Sequence, residues 1–283
     1  MQLSIRDIVF EVFRFLWENR LDLLRMMAAP VLALSIFGIG LSALLASGTP
    51  EAEGASPSGL HVLGLFLAVA LPTIFYVMFA VAWHRRCLRS EEQTTILSAL
   101  RWDRRKTLFL GRFFVIALIT LALALPPAVI TMIVGGGTAA GLAKSGVGGP
   151  STGMLFLQLG KTVIAVVVLL LQVRLAIWLP AAALDHKLTL MEAWVMGRRN
   201  SWRMVAILIL SIAPAMLAAV LVSSAVGLFA QATGLAGTLT FRFVASLAFN
   251  FVYYIVIAAS VSALSISYRE LRRKPSPGTP YYV

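Results

Sequence analysis

The sequence predicts an all-α polytopic membrane protein, with six transmembrane helices accompanied by three amphipathic helices at the membrane surface. Three observations lead there. The 283 residues are 59% hydrophobic and 13% charged, where soluble domains run at roughly 45–50% and about 25%. Mean hydropathy is +0.88, and apolar residues come in runs of about 20, enough to cross a hydrocarbon core of about 30 Å. No run alternates with the period of a membrane-barrel strand, so a backbone that must satisfy its own hydrogen bonds in lipid is left with helices.

The chain opens on an amphipathic segment, residues 5–24. Ile5, Ile8, Val9, Val12, Phe13, Leu16, Trp17 and Leu24 share one helical face, with Arg6, Asp7, Glu11, Arg14 and Glu18 opposite. Such a helix lies in the interface, and its length and acidic residues distinguish it from a secretory leader. Spans are predicted at 26–46, 62–83, 113–134, 162–183, 204–230 and 244–267, within one membrane domain over 1–268 that is followed by a basic tail, 269–283. Residues 47–61 and 135–153 are rich in Gly, Ser and Pro and read as loops. Two later stretches, Thr95 to Phe109 and Thr189 to Met204, repeat the opening plan more weakly, each turning basic just before the next span. The pattern predicts a threefold repeat with a period of about 90 residues, each unit a surface helix followed by a two-helix hairpin. Asn19, Lys106 and Asn200 occupy matching places in the units. Accidental likeness among basic amphipathic connectors is the alternative.

Basic residues set the orientation. Arg6, Arg14, Arg20 and Arg25 precede the first span, and Arg85, Arg86, Arg89, Arg101, Arg104, Arg105, Lys106 and Arg112 follow the second. Lys187, Arg198, Arg199 and Arg203 follow the fourth, and Arg269, Arg272, Arg273 and Lys274 follow the sixth. Twenty of the 24 basic residues thus fall on one side, which predicts cytoplasmic N and C termini. The net charge of +12 is then a topology signal with attraction to anionic lipids at the cytoplasmic face, and nucleic acid is not expected as a partner. Trp17, Trp102, Trp194 and Trp202 lie in the surface segments as interface anchors, and Trp83 and Trp178 at the same ends of their spans fit that pattern.

Arg174 stands apart, 12 positions after Thr162 and 9 before Ala183, and is predicted near mid-membrane. A central arginine costs on the order of 3 kcal/mol on insertion scales, so it is expected to face the bundle, a wet cavity or, by snorkelling, the headgroups. Gln172 and Asn250, at broadly similar depth, are the candidate partners of a ligand-binding or packing cluster. Pro30, Pro72, Pro126, Pro127, Pro180 and Pro214 predict kinks in five spans. His61, His84 and His186 are scattered and Cys87 is the single cysteine, so neither a metal site nor a cofactor is predicted. Asp185 beside His186 reads as a solvated pair at a helix end. GLAKSG (Gly141 to Gly146) lacks the glycine before lysine and the preceding strand of a phosphate loop.

The segment from Arg174 to Arg203, with Pro180-Ala181-Ala182, Glu192-Ala193-Trp194 and Gly197, Arg199, Asn200 and Trp202, resembles a bacterial inner-membrane family. The ending Ser265 to Arg273 is similar to the same group's C terminus. These proteins are described as resembling the membrane domain of glycerophosphoryl diester phosphodiesterases. Met196 and the Arg198-Arg199 pair depart from the Thr-Arg-Gly-Asn form of that pattern. The resemblance implies a polytopic membrane domain of the bacterial inner membrane, without the separate catalytic barrel, for which the chain has no room. The expected role is a non-catalytic scaffold or membrane-organising module. The alternative is a transporter or a lipid- and anion-handling protein using Arg174, Gln172 and Asn250.

Overall fold

A computed structural model describes residues 2–47, 59–89, 99–145 and 152–273. Among these there is no strand, and six helices are long and apolar enough to cross a membrane. This is an integral membrane protein. A surface helix, α1 (Ile5–Glu18), leads into α2 (Arg20–Ser47), and α3 (Gly59–Leu88) completes the first unit. The second holds α4 (Arg104–Ser145), α5 (Thr152–Ala176) and the short α6 (Trp178–Ala183), which together with α5 forms the fourth span. The third comprises α7 (Leu190–Gly197), α8 (Ser201–Thr233) and α9 (Leu239–Arg273).

The junctions follow from local chemistry. Asn19 ends α1 with its side-chain amide on the Phe15 carbonyl at 2.9 Å, while its own carbonyl accepts from Leu23 at 2.9 Å to start α2. Asp103 caps α4, its carboxylate accepting from the Lys106 amide at 3.0 Å. Thr189 and Glu192 form a reciprocal capping box that starts α7. The predicted kink at Pro180 is a break. Proline has no N–H for the carbonyl four residues back and clashes with it, and α5 ends at that residue, Ala176. After one turn α6 closes as a Schellman motif, with His186 N–H on Ala181 O at 2.9 Å and Asp185 N–H on Ala182 O at 3.2 Å. Asp185 takes the left-handed position, φ 60°, that glycine usually fills. At the far end, Gly234 (φ 67°) turns α8 through a 3-10 turn (Leu235–Gly237) into α9.

Surface helices tie the units together. α1 packs on α8 and α9, and α7 packs on α5, so in both cases the helix lies on the hairpin of another unit. Ile8 and Val12 are the buried side of α1, each worth about 1.5–3 kcal/mol when fully removed from water. In the second stretch, residues 95–98 lie outside the described residues, and 99 and 100, ahead of α4, are helical. Lys106, buried within α4, reaches back to the carbonyls of Ala99 (2.7 Å) and Arg101, as Asn19 reaches Phe15.

Three boundaries differ from expectation. The Gly-rich stretch predicted as a loop from 135 is helical through Ser145, although each glycine costs about 1 kcal/mol in a helix. Helix α9 runs on through Arg273, so the first residues predicted for the tail belong to the helix, and 274–283 lie outside the described residues. The N-terminal segment is not one continuous helix over 5–24 but breaks at Asn19.

Candidate functional site

Polar side chains converge at one end of the bundle, here termed the basic end. Arg86 pairs with Asp22 at 2.9 Å, and Arg269 donates to both Glu11 oxygens at 2.6 and 2.7 Å. Leu3 is clamped between Asn200, which accepts from its N–H at 3.0 Å, and Arg203, which donates to its carbonyl at 2.6 Å. The segments whose basic charge the sequence assigns to one side therefore meet at one end.

Arg174 belongs to this end, in the last turn of α5. Its Nε donates to the Ser201 hydroxyl, Nη2 approaches the Arg198 carbonyl at 3.4 Å, and the guanidinium stacks 4.9 Å from the centre of the Trp194 ring. The close approach depends on Gly197, where a Cβ would meet Ile177 Cδ1 at 3.0 Å and the Arg174 backbone at 3.4 Å. The break at Ile177 brings α7 back over the end of α5, so the arginine meets that helix. Gln172 is exposed, as residues two apart on a helix point to different sides. Asn250 lies elsewhere, donating to Ser35 Oγ at 3.0 Å and to Ser246 O at 2.9 Å, where it joins α9 to α2. The three residues do not meet.

A second arginine set holds the interrupted α6 region. Arg112 donates to the Trp178 carbonyl at 2.9 Å and approaches the His186 carbonyl at 3.4 Å, with its guanidinium 4.8 Å from the Trp178 ring centre. Arg85 donates to Ala183 O at 3.2 Å, and Arg105 pairs with Asp185. Arg85 thereby takes up one of the carbonyls that the end of α6 leaves without a helical partner. Trp178 donates to Leu188 O at 2.6 Å.

The tryptophans divide. Trp17 and Trp202 are exposed at 71% and 65%, and Trp102 is exposed, as interface anchors require, whereas Trp194 is half-buried beneath Arg174. Trp83 is fully buried and is no anchor; it donates to Ser262 Oγ at 2.9 Å in the α3–α9 seam. In the same seam His84 Nδ1 lies 2.7 Å from Ser265 Oγ, which is also 2.7 Å from Val261 O.

Beside this seam is a cavity of about 360 Å³ lined by Leu88, Arg89, Leu184, His186, Tyr268, Arg269, Arg272 and Arg273. One Arg272 nitrogen sits 2.6 and 2.8 Å from the two ring nitrogens of His186, and Tyr268 Oη is 2.9 Å from Nδ1. Burial, then Arg272 and Arg89, hold the His186 pKa below its ordinary value, with Asp185 opposing. Asp185 and His186, read from sequence as a solvated pair, thus diverge to separate partners. No family model, curated protein or solved structure matches this chain. The stretches from Arg174 to Arg203 and from Ser265 to Arg273 touch here through His186, Tyr268 and Arg272.

A larger, apolar hollow of about 460 Å³ opens between α4, α5 and α7, lined by Ile119, Leu123, Leu171, Leu175, Leu190, Met191 and Trp194. Among the described residues no group of three His, Cys, Asp or Glu lies close enough to share a metal ion. Sequence reasoning missed the cationic cavity. Its one available signal was Tyr268 among the arginines Arg269, Arg272 and Arg273 of the α9 ending, and the partner loop lies more than 80 residues away in the chain.

Proposed function

We propose that this chain is a non-catalytic membrane-organising scaffold of a bacterial inner membrane, with both termini cytoplasmic. The observation that carries the reading is the use made of the polar groups in the spans. Arg174 is engaged by Ser201, Arg198 and Trp194, and Asn250 by Ser35 and Ser246. Both serve packing between segments of the protein, which favours a structural role over a transport site at Arg174.

The surface helices supply the organising element. α1 exposes Phe10 and Trp17 beside its buried face, and α7 exposes Met191 and Val195. With these apolar edges in the cytoplasmic leaflet and the basic end at the anionic headgroups, the protein occupies more area in one leaflet than in the other. The resemblance to the membrane-domain family agrees with such a role and adds no catalytic group.

The test is reconstitution into vesicles containing anionic lipid. Vesicle shape by electron cryomicroscopy is expected to change with protein density, and Phe10→Ser with Trp17→Ser to diminish the change. In parallel, anion flux and lipid translocation are measured for wild type and Arg174→Leu. A flux that wild type supports and Arg174→Leu abolishes would overturn the scaffold reading. Orientation is read by a cysteine placed at Ser56, which is expected to react with an impermeant probe from outside.

A further inference from the structure

The geometry points to a binding site for a phosphate-bearing anion in the cationic cavity at the basic end, between the C-terminal ends of α3 and α9 and the turn after α6. It rests on the proposed orientation only for which leaflet would face it. Arg89, Arg269, Arg272 and Arg273 line a space of about 360 Å³, together with His186 and Tyr268. That size is at the low end of ligand pockets, about 300–1,000 Å³, and suits a small headgroup or free anion.

Charge accounting favours an anion. Glu11 holds Arg269 at 2.6 Å, Glu270 lies 3.3 Å from Arg273, and Asp185 holds Arg105 outside the cavity. Arg272 faces an imidazole rather than a carboxylate. The buried Arg269 Nε has no hydrogen-bond acceptor, with the Glu270 carboxylate 3.6 Å away. Beneath them, Arg112 is spent on backbone carbonyls.

Basic residues in the last turns of α3 and α9 also complement the negative ends of those helices, and exposed side chains would suffice for that. Here the buried Tyr268 hydroxyl and the His186 ring lie against Arg272 and shape a polar wall. Guanidinium forks from several arginines match the oxygens of a phosphate, each able to donate two parallel bonds. An arriving anion replaces the repulsion that the imidazole feels from Arg272 and Arg89 by attraction, so its proton affinity rises on binding.

The full chain, purified in detergent, is titrated calorimetrically with dihexanoyl phosphatidic acid, dihexanoyl phosphatidylcholine and inorganic phosphate. Phosphatidic acid or phosphate is expected to bind, with Arg272→Gln weakening it about tenfold and the exposed, distant Arg199→Gln changing it by less than about twofold. Phosphatidic acid binding tighter than phosphate assigns a lipid headgroup; equal affinities assign a free anion. Absence of binding by both, or equal losses in the two variants, overturns the site. A readout on the wild-type protein is the His186 ring titration by NMR: a rise with the bound anion supports the site, and an unchanged titration counts against it.

Discussion

The two halves of the bundle are built from helices of the same apolar composition, yet among the described residues only one of them has a core. In α3 the buried residues are Val77, Phe79 to Arg85 and Cys87, while Gly64 is the sole buried residue of its first half. In α9 burial starts at Val252 and continues to Tyr268. In α8 it stops at Ser211, and along 159–172 no residue is buried. The basic end is thus cross-linked by surface helices, guanidinium–carbonyl bonds and aromatic contacts such as Phe79 on Tyr254, whose ring centres are 5.1 Å apart. The opposite half meets its surroundings with Phe66, Val69, Leu118, Val163, Leu221 and Leu228. Apolar side chains gain little from helix–helix contact when lipid is equally apolar, so the protein consolidates where polar groups and an interface supply other forces.

The largest expected effect that sharpens this contrast is at Arg112. Arg112→Leu removes the side-chain donors to the Trp178 and His186 carbonyls together with the ring contact, and is expected to cost about 3 kcal/mol in unfolding free energy. Denaturation in mild detergent checks it; a loss no greater than that of an exposed-arginine variant such as Arg199→Gln would break the picture of a cross-linked end. Next come two valines on one helix, Val77 at 0% exposure and Val69 at 70%. Val77→Ala should cost about 1–2 kcal/mol through lost packing and a cavity, whereas Val69→Ala should stay within about 0.5 kcal/mol. Equal costs would place a second core in the opposite half.

Smaller still is Gly234→Ala in the far hairpin. An L-residue at φ 67° is strained by roughly 1 kcal/mol, and because that end is little packed, unfolding of the basic end should be unaffected, as hydrogen exchange would show. The smallest effect is at His186. Its folded pKa lies below the ordinary value, so the folded state binds fewer protons than the unfolded one in the window beneath that value. Stability is therefore full above the unfolded pKa and declines as pH falls toward the folded one. His186→Gln is expected to flatten this dependence in melting temperature measured across mildly acidic pH, and an unchanged slope would remove the histidine from the account.

Much of the architecture was legible residue by residue. Ile8 and Val12 announce the buried side of α1 through helical spacing, and the amphipathic stretch from Thr189 announces α7. Pro180 announces a disruption, but spacing cannot distinguish a kink from a break that carries a new helix end and a turn. The polar cluster was less legible. Arg174, Gln172 and Asn250 share an approximate depth, yet rotation about the helix axis decides which groups meet, and neither depth nor hydropathy carries that angle in an apolar span.

By itself the sequence determined that the chain is helical, crosses a membrane with six apolar segments and gathers its basic residues at one end, because these properties are sums over local composition, period and charge. Only the tertiary structure decided that Arg174 is bound by a surface helix, that Trp83 is a core residue, and that His186 and Tyr268 join the arginines of α9 around a cavity. Each of these depends on contacts between segments far apart in the chain, fixed by helix rotation and by the break at Ile177.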